Sequence, residues 1–153
     1  MIPTREEMEQ AFEMRHGKEL QKKFSSAVVA VCGLGGLGSH IAIALARAGI
    51  GKLILIDFDC VDVTNLHRQQ YKAAQVGKCK TEALRENLRE IAPYLSTEVH
   101  NVKITRDNAR ELLKDADIIC EAFDDAESKA MLTDVVLCSM QGKYLVAASG
   151  MAG

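Results

Sequence analysis

One glycine-rich turn, GLGGLG at 33–38, limits the folds open to this sequence more than any other segment. It follows the apolar run 27–31 directly and opens a segment with helical spacing of apolar residues, so it joins a strand to a helix. The glycines match G-x-G-x-x-G, which permits a tight turn, close approach of a phosphate and close packing of the helix on the strand. The unpaired N–H groups of the helix N-terminus favour an anion there. The turn therefore predicts nucleotide binding, against the alternative of a purely structural turn, and its candidate residues are Gly33, Gly35, Gly36 and Gly38.

Apolar runs and helical patterns alternate along the rest of the sequence. Strands are predicted at 53–56, 99–104, 117–120 and 144–148, the second of them more polar and therefore at a sheet edge, with helices at 78–91, 108–114 and 128–141. Short helical crossovers require parallel strands and right-handed connections. We therefore predict an α/β fold with a Rossmann-like, doubly wound, mainly parallel sheet. An N-terminal helical segment, 1–24, precedes the α/β domain, 25–153; because the sequence stops straight after a strand, we expect the C-terminal part of the fold to be missing.

The composition is that of a folded globular protein with one domain. The chain has 153 residues, of which 48% are hydrophobic and 26% charged, and its net charge of -2 provides no overall basic field for nucleic acid. No apolar run reaches the roughly 20 residues of a membrane-spanning helix, and the polar, acidic start does not resemble a secretory leader. The five cysteines include no C-x-x-C pair, so we expect free thiols, no zinc and a cytoplasmic location.

Two carboxylates end the second predicted strand. Asp57 follows Gly38 at close to the spacing of about 20 residues at which an acid binds ribose hydroxyls in this kind of fold. Asp59 lies two residues further on, on the same side of the chain. The alternative for both is a carboxylate that only faces solvent in a turn.

The next loop, TNLHRQQ at 64–70, favours ATP over a dinucleotide. It brings Asn65, Arg68 and Gln69 just past the predicted ribose site, and Lys80 follows at the start of the next helix. An arginine and a lysine together suit a triphosphate, whereas the pyrophosphate of NAD is already served by the glycine turn. The alternatives are solvated surface charges, or an NAD site that uses the same turn.

Carboxylates also follow the fourth predicted strand, in the sequence CEAFDDAES. Ligands of doubly wound sheets bind at the carboxyl ends of the strands, which is where Glu121, Asp124 and Asp125 lie. Mg²⁺ typically takes one or two protein carboxylates together with phosphate oxygens. We predict Asp124 as the metal ligand; the alternative is that Asp124 or Asp125 caps the following helix. The four histidines, at 16, 40, 67 and 100, show no metal-binding spacing.

Five ordered motifs resemble the ThiF family over almost the whole chain: GLGGLG at 33–38, LILIDFD at 53–59, NLHRQQ at 65–70, GKCK at 77–80 and AFDD at 122–125. The resemblance implies that Asp57 holds the ATP ribose and that Asn65, Arg68, Gln69 and Lys80 line the phosphates. It implies that Asp124 organises Mg²⁺. In a homodimer of this family an arginine of the leading helix reaches the γ-phosphate in the partner subunit, and Arg15 is the candidate, ahead of Arg5.

The resemblance also implies an activity. It is that of an ATP-dependent adenylyltransferase that activates the C-terminal glycine carboxylate of a ubiquitin-like sulfur carrier, ThiS-like or MoaD-like, as in thiamine thiazole biosynthesis. In that reading Arg68, Lys80, Asp124 and Arg15 are catalytic. An ionised carboxylate needs no general base, which suits a sequence with no Ser-His-Asp or Cys-His arrangement. The alternatives are an NAD-dependent oxidoreductase and a nucleotide-binding protein without catalytic activity.

Overall fold

The computed structural model describes residues 1–149, and the closing motif 150–153 lies outside them. The helices are α1 Arg5–His16, α2 Lys18–Ser26, α3 Gly36–Arg47, α4 Lys80–Ile91, α5 Ala109–Leu113 and α6 Ala126–Ser139. The strands are β1 Val28–Cys32, β2 Lys52–Ile56, β3 Ser96–His100, β4 Ile118–Glu121 and β5 Tyr144–Ala147. Two single 3-10 turns, Val63–Asn65 and Ala73–Gln75, lie in the long loop between β2 and α4.

All five strands pair in parallel, in the order β3-β2-β1-β4-β5. Strands β2 and β3 extend the sheet from β1 to one edge. The chain then returns, and β4 and β5 extend the sheet from the other side of β1 to the opposite edge. The order therefore reverses between β1 and β4, which is where doubly wound sheets bind ligands. The predicted Rossmann-like fold is confirmed, and so is the edge position of the polar strand, β3.

The core lies on both faces of the sheet because both faces are covered by helices. Successive strand residues point to opposite faces, so Val29 and Val31 join one buried cluster while Ala30 and Cys32 join the other. Helices α3 and α4 cover the first face, and α5 and α6 cover the second. Burial on both faces explains why the central strands are continuous apolar runs.

The position of the edge strand differs from the predicted range, 99–104. It runs over Ser96–His100 instead, paired with Lys52–Ile56 of β2. The apolar alternation at Val102 and Ile104 misled the prediction: Val102 is exposed, and Ile104 packs into the core from a loop. Backbone pairing with β2, from Lys52 opposite Ser96 to Ile56 opposite His100, decides where the strand lies.

The N-terminal helical segment divides at Gly17, which has a positive φ of 81° between α1 and α2. Thr4 begins α1 with a reciprocal capping box to Glu7. Phe24 of α2 packs against the core, and its ring meets His16 edge-on at 5.3 Å between ring centroids. Within the described residues, no helix is both long and apolar enough to cross a bilayer.

Candidate nucleotide-binding site

A cleft of about 740 Å³ opens at the carboxyl ends of β1, β2 and β4, where the strand order reverses. The glycine turn, the end of β2, the long loop and the start of α6 all line it. Ten of the residues predicted from sequence line this one cleft: Gly33, Gly35, Gly36, Asp57, Asp59, Asn65, Arg68, Gln69, Lys80 and Asp124. Gly38 is buried behind the turn, and Arg15 is exposed on α1, away from the residues that line the cleft.

The glycine turn has the shape that its sequence predicts. Gly33 has a φ of 89°, and a Cβ there would lie 2.8 Å from the carbonyl oxygen of Ala122, the residue that follows β4. A Cβ on Gly38 would overlap the carbonyl oxygen of Gly33, so α3 packs directly on the end of β1. Gly35 precedes α3 without any side-chain cap, which leaves N–H groups of the first helical turn for an anion.

Asp57 is buried, and both of its carboxylate oxygens accept backbone hydrogen bonds. Oδ2 accepts from the N–H of Leu34 in the glycine turn at 2.6 Å, and Oδ1 accepts from the N–H of Asp59 at 2.8 Å. The side chain therefore ties the end of β2 to the glycine turn, a role that the sequence did not predict. Each carboxylate oxygen can accept two hydrogen bonds, so Asp57 can also accept one from a ribose hydroxyl. Ribose binding by Asp57 stays a prediction.

Tyr71 also holds the glycine turn in place. Its buried hydroxyl donates to the carbonyl oxygen of Leu34 at 2.6 Å. Burial, and then the nearby charge of Asp57, raises the pKa of Tyr71 far above its ordinary value, so the hydroxyl keeps its proton and remains a donor. Sequence reasoning missed this residue because a tyrosine in a loop carries no local signal of a contact with a distant turn.

Lys80 is the first residue of α4 and the most buried cation of the cleft. Only 7% of its side chain is exposed, and Nζ donates to Oδ2 of Asp59 at 3.2 Å. Removing an ammonium group from water is costly, and one half-exposed carboxylate offsets that cost only in part. The buried amine faces the cleft, so an additional anion there would stabilise it further.

Arg68 lies along the glycine turn. Its Cγ would be 3.7 Å from a Cβ on Gly36, and Nη1 donates to the carbonyl oxygen of Thr64 at 3.3 Å. The guanidinium has five N–H donors, so most of them remain available to a ligand. Arg68 and Lys80 therefore line the same cleft, with Arg68 beside the N-terminus of α3, and two cations in one cleft suit a triphosphate.

The two amides of the loop are held differently. Oδ1 of Asn65 accepts from the N–H of Asp62 at 3.2 Å, which leaves the amide donors of Asn65 to the cleft. Gln69 is buried, and within residues 1–149 its Oε1 has no hydrogen-bond partner. A buried amide oxygen without a partner is costly, and a donor on a bound ligand would satisfy it.

The two neighbouring aspartates after β4 have separate environments. Asp125 is the N-cap of α6: its Oδ1 accepts from the N–H of Ser128 at 2.7 Å, and this hydrogen bond holds the pKa of Asp125 below its ordinary value. The helix-cap alternative therefore applies to Asp125. Asp124 is exposed and lines the cleft.

A magnesium ion carried by a nucleotide fits this set of residues. No group of three His, Cys, Asp or Glu side chains in the described part of the chain forms a complete metal site. Mg²⁺ needs no such group when phosphate oxygens and water supply most of its ligands. A single carboxylate at the rim, Asp124, suits that arrangement, and its role as a ligand remains a prediction.

Another cation that lines the cleft, Lys129 on α6, was missed from sequence. Its Nζ donates to Oε1 of Glu121 at 3.1 Å and to the carbonyl oxygen of Ala148 at 3.0 Å. Glu121 is fully buried, with 1% of its side chain exposed, and Oε1 also accepts from the N–H of Phe123. The pair therefore joins the ends of β4 and β5 to α6. The signal that could have revealed it is a glutamate at the end of a buried strand, which requires a cation nearby.

A five-stranded parallel sheet with a glycine-rich turn between its first strand and the next helix, and a cleft where the strand order reverses, defines a Rossmann-like domain of the kind that binds nucleotides. The sequence model of the ThiF family matches residues 9–153, and the chain belongs to that family.

Two curated relatives carry the name adenylyltransferase and sulfurtransferase. MOCS3 of Caenorhabditis briggsae is 36% identical over 132 residues, which are 86% of this chain and 32% of the relative. The protein uba4 of Aspergillus terreus is 40% identical over 132 residues, which are 86% of this chain and 27% of the relative. The chain thus spans about a third of the length of these relatives, or less.

Solved structures show the same fold. The tRNA N6-threonylcarbamoyladenosine dehydratase TcdA of E. coli, solved in complex with ATP, has a TM-score of 0.89 and 31% identity over all of this chain and 64% of its own. E. coli MccB, also solved with ATP, has a TM-score of 0.73 and 30% identity over 85% of this chain and 39% of its own.

Proposed function

We propose that this chain is the ATP-binding core of an adenylyltransferase that activates a carboxylate for transfer. The observation that carries the proposal is that Arg68 and the buried Lys80 line the same cleft as the glycine turn that begins α3. Two cations and a helix N-terminus in one place suit a triphosphate better than they suit NAD. The names of MOCS3 and uba4, and the ATP complexes of TcdA and MccB, support the same activity.

In this reaction a carboxylate oxygen attacks the α-phosphorus of ATP, the bond from that phosphorus to the bridging oxygen breaks, and pyrophosphate leaves. The nucleophile is already ionised at neutral pH, since a terminal carboxyl has a pKa of about 3.3–3.7, so no general base is needed. The obstacle is repulsion between two anions. Arg68 and Lys80 would offset it and stabilise the charge that builds on pyrophosphate. Magnesium held by Asp124 and the phosphates would supply further charge neutralisation.

The substrate that we propose is the C-terminal glycine carboxylate of a ubiquitin-like sulfur carrier. The two relatives whose names include sulfurtransferase, MOCS3 and uba4, support a sulfur pathway. Neither name refers to thiamine, so a MoaD-like carrier is favoured over a ThiS-like one. The proposal includes a homodimer in which Arg15 of the partner subunit completes the phosphate site.

A second candidate substrate is the threonylcarbamoyl carboxylate of a modified tRNA adenosine. The observation that favours it is that TcdA matches all of this chain, whereas MccB matches 85% of it. The net charge of -2 favours the protein carrier, because tRNA binding draws on a positive field.

Isotope exchange between pyrophosphate and ATP tests the proposal. With a MoaD-like carrier present we expect exchange, and we expect Lys80→Ala to lower its rate by about 10²–10³, the loss typical of one stabilising donor. Lys78→Ala is the matched control: it lies two residues away and pairs with Glu86 on the surface, so it should exchange normally. Exchange by Lys80→Ala at the normal rate would refute the assignment, and NADH binding without ATP binding would refute the activity.

A second arm separates the substrates. ThiS-like carrier, MoaD-like carrier and threonylcarbamoyl-modified tRNA are added singly to the same protein. Exchange that depends on one of them identifies the carboxylate. Binding of ATP with no exchange in any arm favours a nucleotide-binding protein without catalytic activity.

A further inference from the structure

Two cysteines face each other at the neck of the long loop. Cys60 and Cys79 form an isolated antiparallel bridge. The N–H of Val61 donates to the carbonyl oxygen of Lys78 at 2.8 Å, and the N–H of Lys80 donates to that of Asp59 at 2.9 Å. Backbone hydrogen bonds on either side make the two cysteines a non-hydrogen-bonded pair, whose Cα atoms lie about 4.5 Å apart with side chains on the same face.

Both thiols are reduced, and they interact. Cys60 is exposed and lines the nucleotide cleft, while Cys79 is half-buried and its sulfur accepts from Nδ2 of Asn101 at 3.1 Å. Partial loss of hydration raises the pKa of Cys60, and the adjacent thiol of Cys79 raises it further. The remaining cysteines differ: Cys32 and Cys120 are buried in the sheet, and Cys138 lies exposed on α6 beside Asp134.

The position of the pair connects it to the nucleotide site. The loop 61–78 leaves and returns through this neck, and it carries Asn65, Arg68 and Gln69 into the cleft. The ion pair between Asp59 and Lys80 consists of the residues adjacent to the two cysteines. A covalent change at the neck therefore acts on most of the polar residues that the loop brings to the cleft.

We propose that Cys60 and Cys79 are a redox modification site, where reversible oxidation to a disulfide lowers the affinity of the cleft for nucleotide. A Cα separation of about 4.5 Å falls within the range that disulfides span, 4.4–6.8 Å. The oxidant is a low-molecular-weight disulfide. The deprotonated Cys60 sulfur attacks it and releases one thiolate, and Cys79 then attacks the Cys60 sulfur and releases the second. The two protein thiols lose two protons and two electrons, and the small disulfide becomes two thiols.

The expected loss of affinity follows from geometry. Disulfides most often hold Cα atoms about 5.5–6 Å apart, so the bond widens the neck and draws Asp59 and Lys80 out of their present alignment. Misplacing one charge-assisted hydrogen bond to a phosphate corresponds to about a tenfold weaker Kd. This consequence rests on the proposed ATP site, whereas formation of the bond does not.

The chemistry is tested on the whole chain with oxidised glutathione. After tryptic digestion without reductant, we expect the peptide 53–68 to be joined by a disulfide to the dipeptide 79–80. Treatment with dithiothreitol should separate the two peptides. The rate should increase with pH, because the raised pKa of Cys60 leaves little thiolate at neutral pH. Cys138→Ser should form the bond normally, and Cys60→Ser should not. Glutathione adducts on Cys60 with no joined peptide would overturn the proposal.

Calorimetric titration with ATP tests the effect on the cleft. The oxidised protein should bind about tenfold more weakly than the reduced protein, and the Cys60→Ser variant should bind equally well before and after glutathione treatment. Equal affinity of the joined and reduced forms would overturn the effect on binding. If neither form binds ATP, the proposed function fails while the joined peptide still establishes the modification site.

Discussion

Asp124 and Asp125 show how adjacent, chemically identical residues acquire different tasks. Both side chains are exposed and line the cleft, but the carboxylate of Asp125 accepts a hydrogen bond from the N–H of Ser128 in the first turn of α6. Nothing in the sequence itself distinguishes these two aspartates. The direction in which α6 leaves the end of β4 decides which one caps the helix.

The pair predicts opposite phenotypes. Asp125→Ala should lower the free energy of unfolding by about 1 kcal/mol, since an N-cap is lost, and should leave ATP binding intact. Asp124→Ala should leave stability unchanged and slow pyrophosphate exchange, if the aspartate holds the nucleotide's magnesium. Urea unfolding and isotope exchange on both variants measure the two effects. A loss of stability in Asp124→Ala, with exchange preserved, would reverse the assignment.

Contact between α3 and β1 depends on the absence of a side chain at Gly38. We predict that Gly38→Ala lowers the free energy of unfolding by about 3 kcal/mol, at the upper end of the usual cost of overpacking, because its Cβ meets rigid backbone at Gly33. Gly36→Ala is the control, since a Cβ there meets nothing nearer than 3.7 Å. Chemical denaturation measures both. Equal stability of the two variants would show that α3 can shift without cost.

The edge strand β3 is joined to β2 by an ion pair whose contribution to stability depends on pH. Lys52 donates to Glu98 at 2.6 Å, and this hydrogen bond, followed by one from His100, lowers the pKa of Glu98. A lowered pKa in the folded state contributes stability above the ordinary value of 4.5, and that stability disappears as pH falls through the folded value.

Glu98→Gln should therefore destabilise the protein near pH 6 by less than about 1 kcal/mol, as the pair is partly exposed. The difference from the unmodified protein should shrink as the pH falls from about 6 to well below 4.5, where the carboxyl group becomes protonated in the folded state as well. Unfolding curves at the two pH values measure it. Glu9→Gln, on exposed α1, is the control and should show no comparable change. A difference that grows toward low pH would contradict the assigned sign.

The cleft is a property of the complete sheet, because β1, β2 and β4 and the long loop each contribute part of it. Arg68 and Lys80 lie between β2 and β3, whereas Asp124 follows β4, so no single βαβ unit contains all three residues. Arg15 is the one predicted catalytic residue that does not line this cleft, and it acts only if a second copy of the chain supplies it.

Complementation between inactive variants tests that second copy. Arg15→Ala and Lys80→Ala should each be impaired in pyrophosphate exchange. Mixed and allowed to reassemble, they should recover about a quarter of the normal activity, because half of the dimers contain one site with Lys80 and with Arg15 of the partner subunit intact. Simple averaging of the two low activities would show that Arg15 does not act across an interface.

Local patterns were sufficient to predict the order of the elements, the glycine turn and ten of the residues that line the cleft. Apolar alternation and helical spacing are imposed by burial over a few residues, and the glycine turn needs a conformation that other residues rarely adopt. These signals lie within single segments, which is why the strands β1, β2, β4 and β5 are found within one or two residues of their predicted positions.

The remaining features arise from contacts between segments far apart in the chain. The register of β3, the hydrogen bond from Leu34 to Asp57, the ion pair of Lys129 with Glu121 and the opposition of Cys60 and Cys79 join residues from 8 to 44 positions apart. A side chain's identity sets what it can bind, but which partner it meets follows from strand register and the path of the loop. Folding therefore decided the partners, because a hydrogen bond or an ion pair depends on distances of a few ångströms that no local pattern encodes.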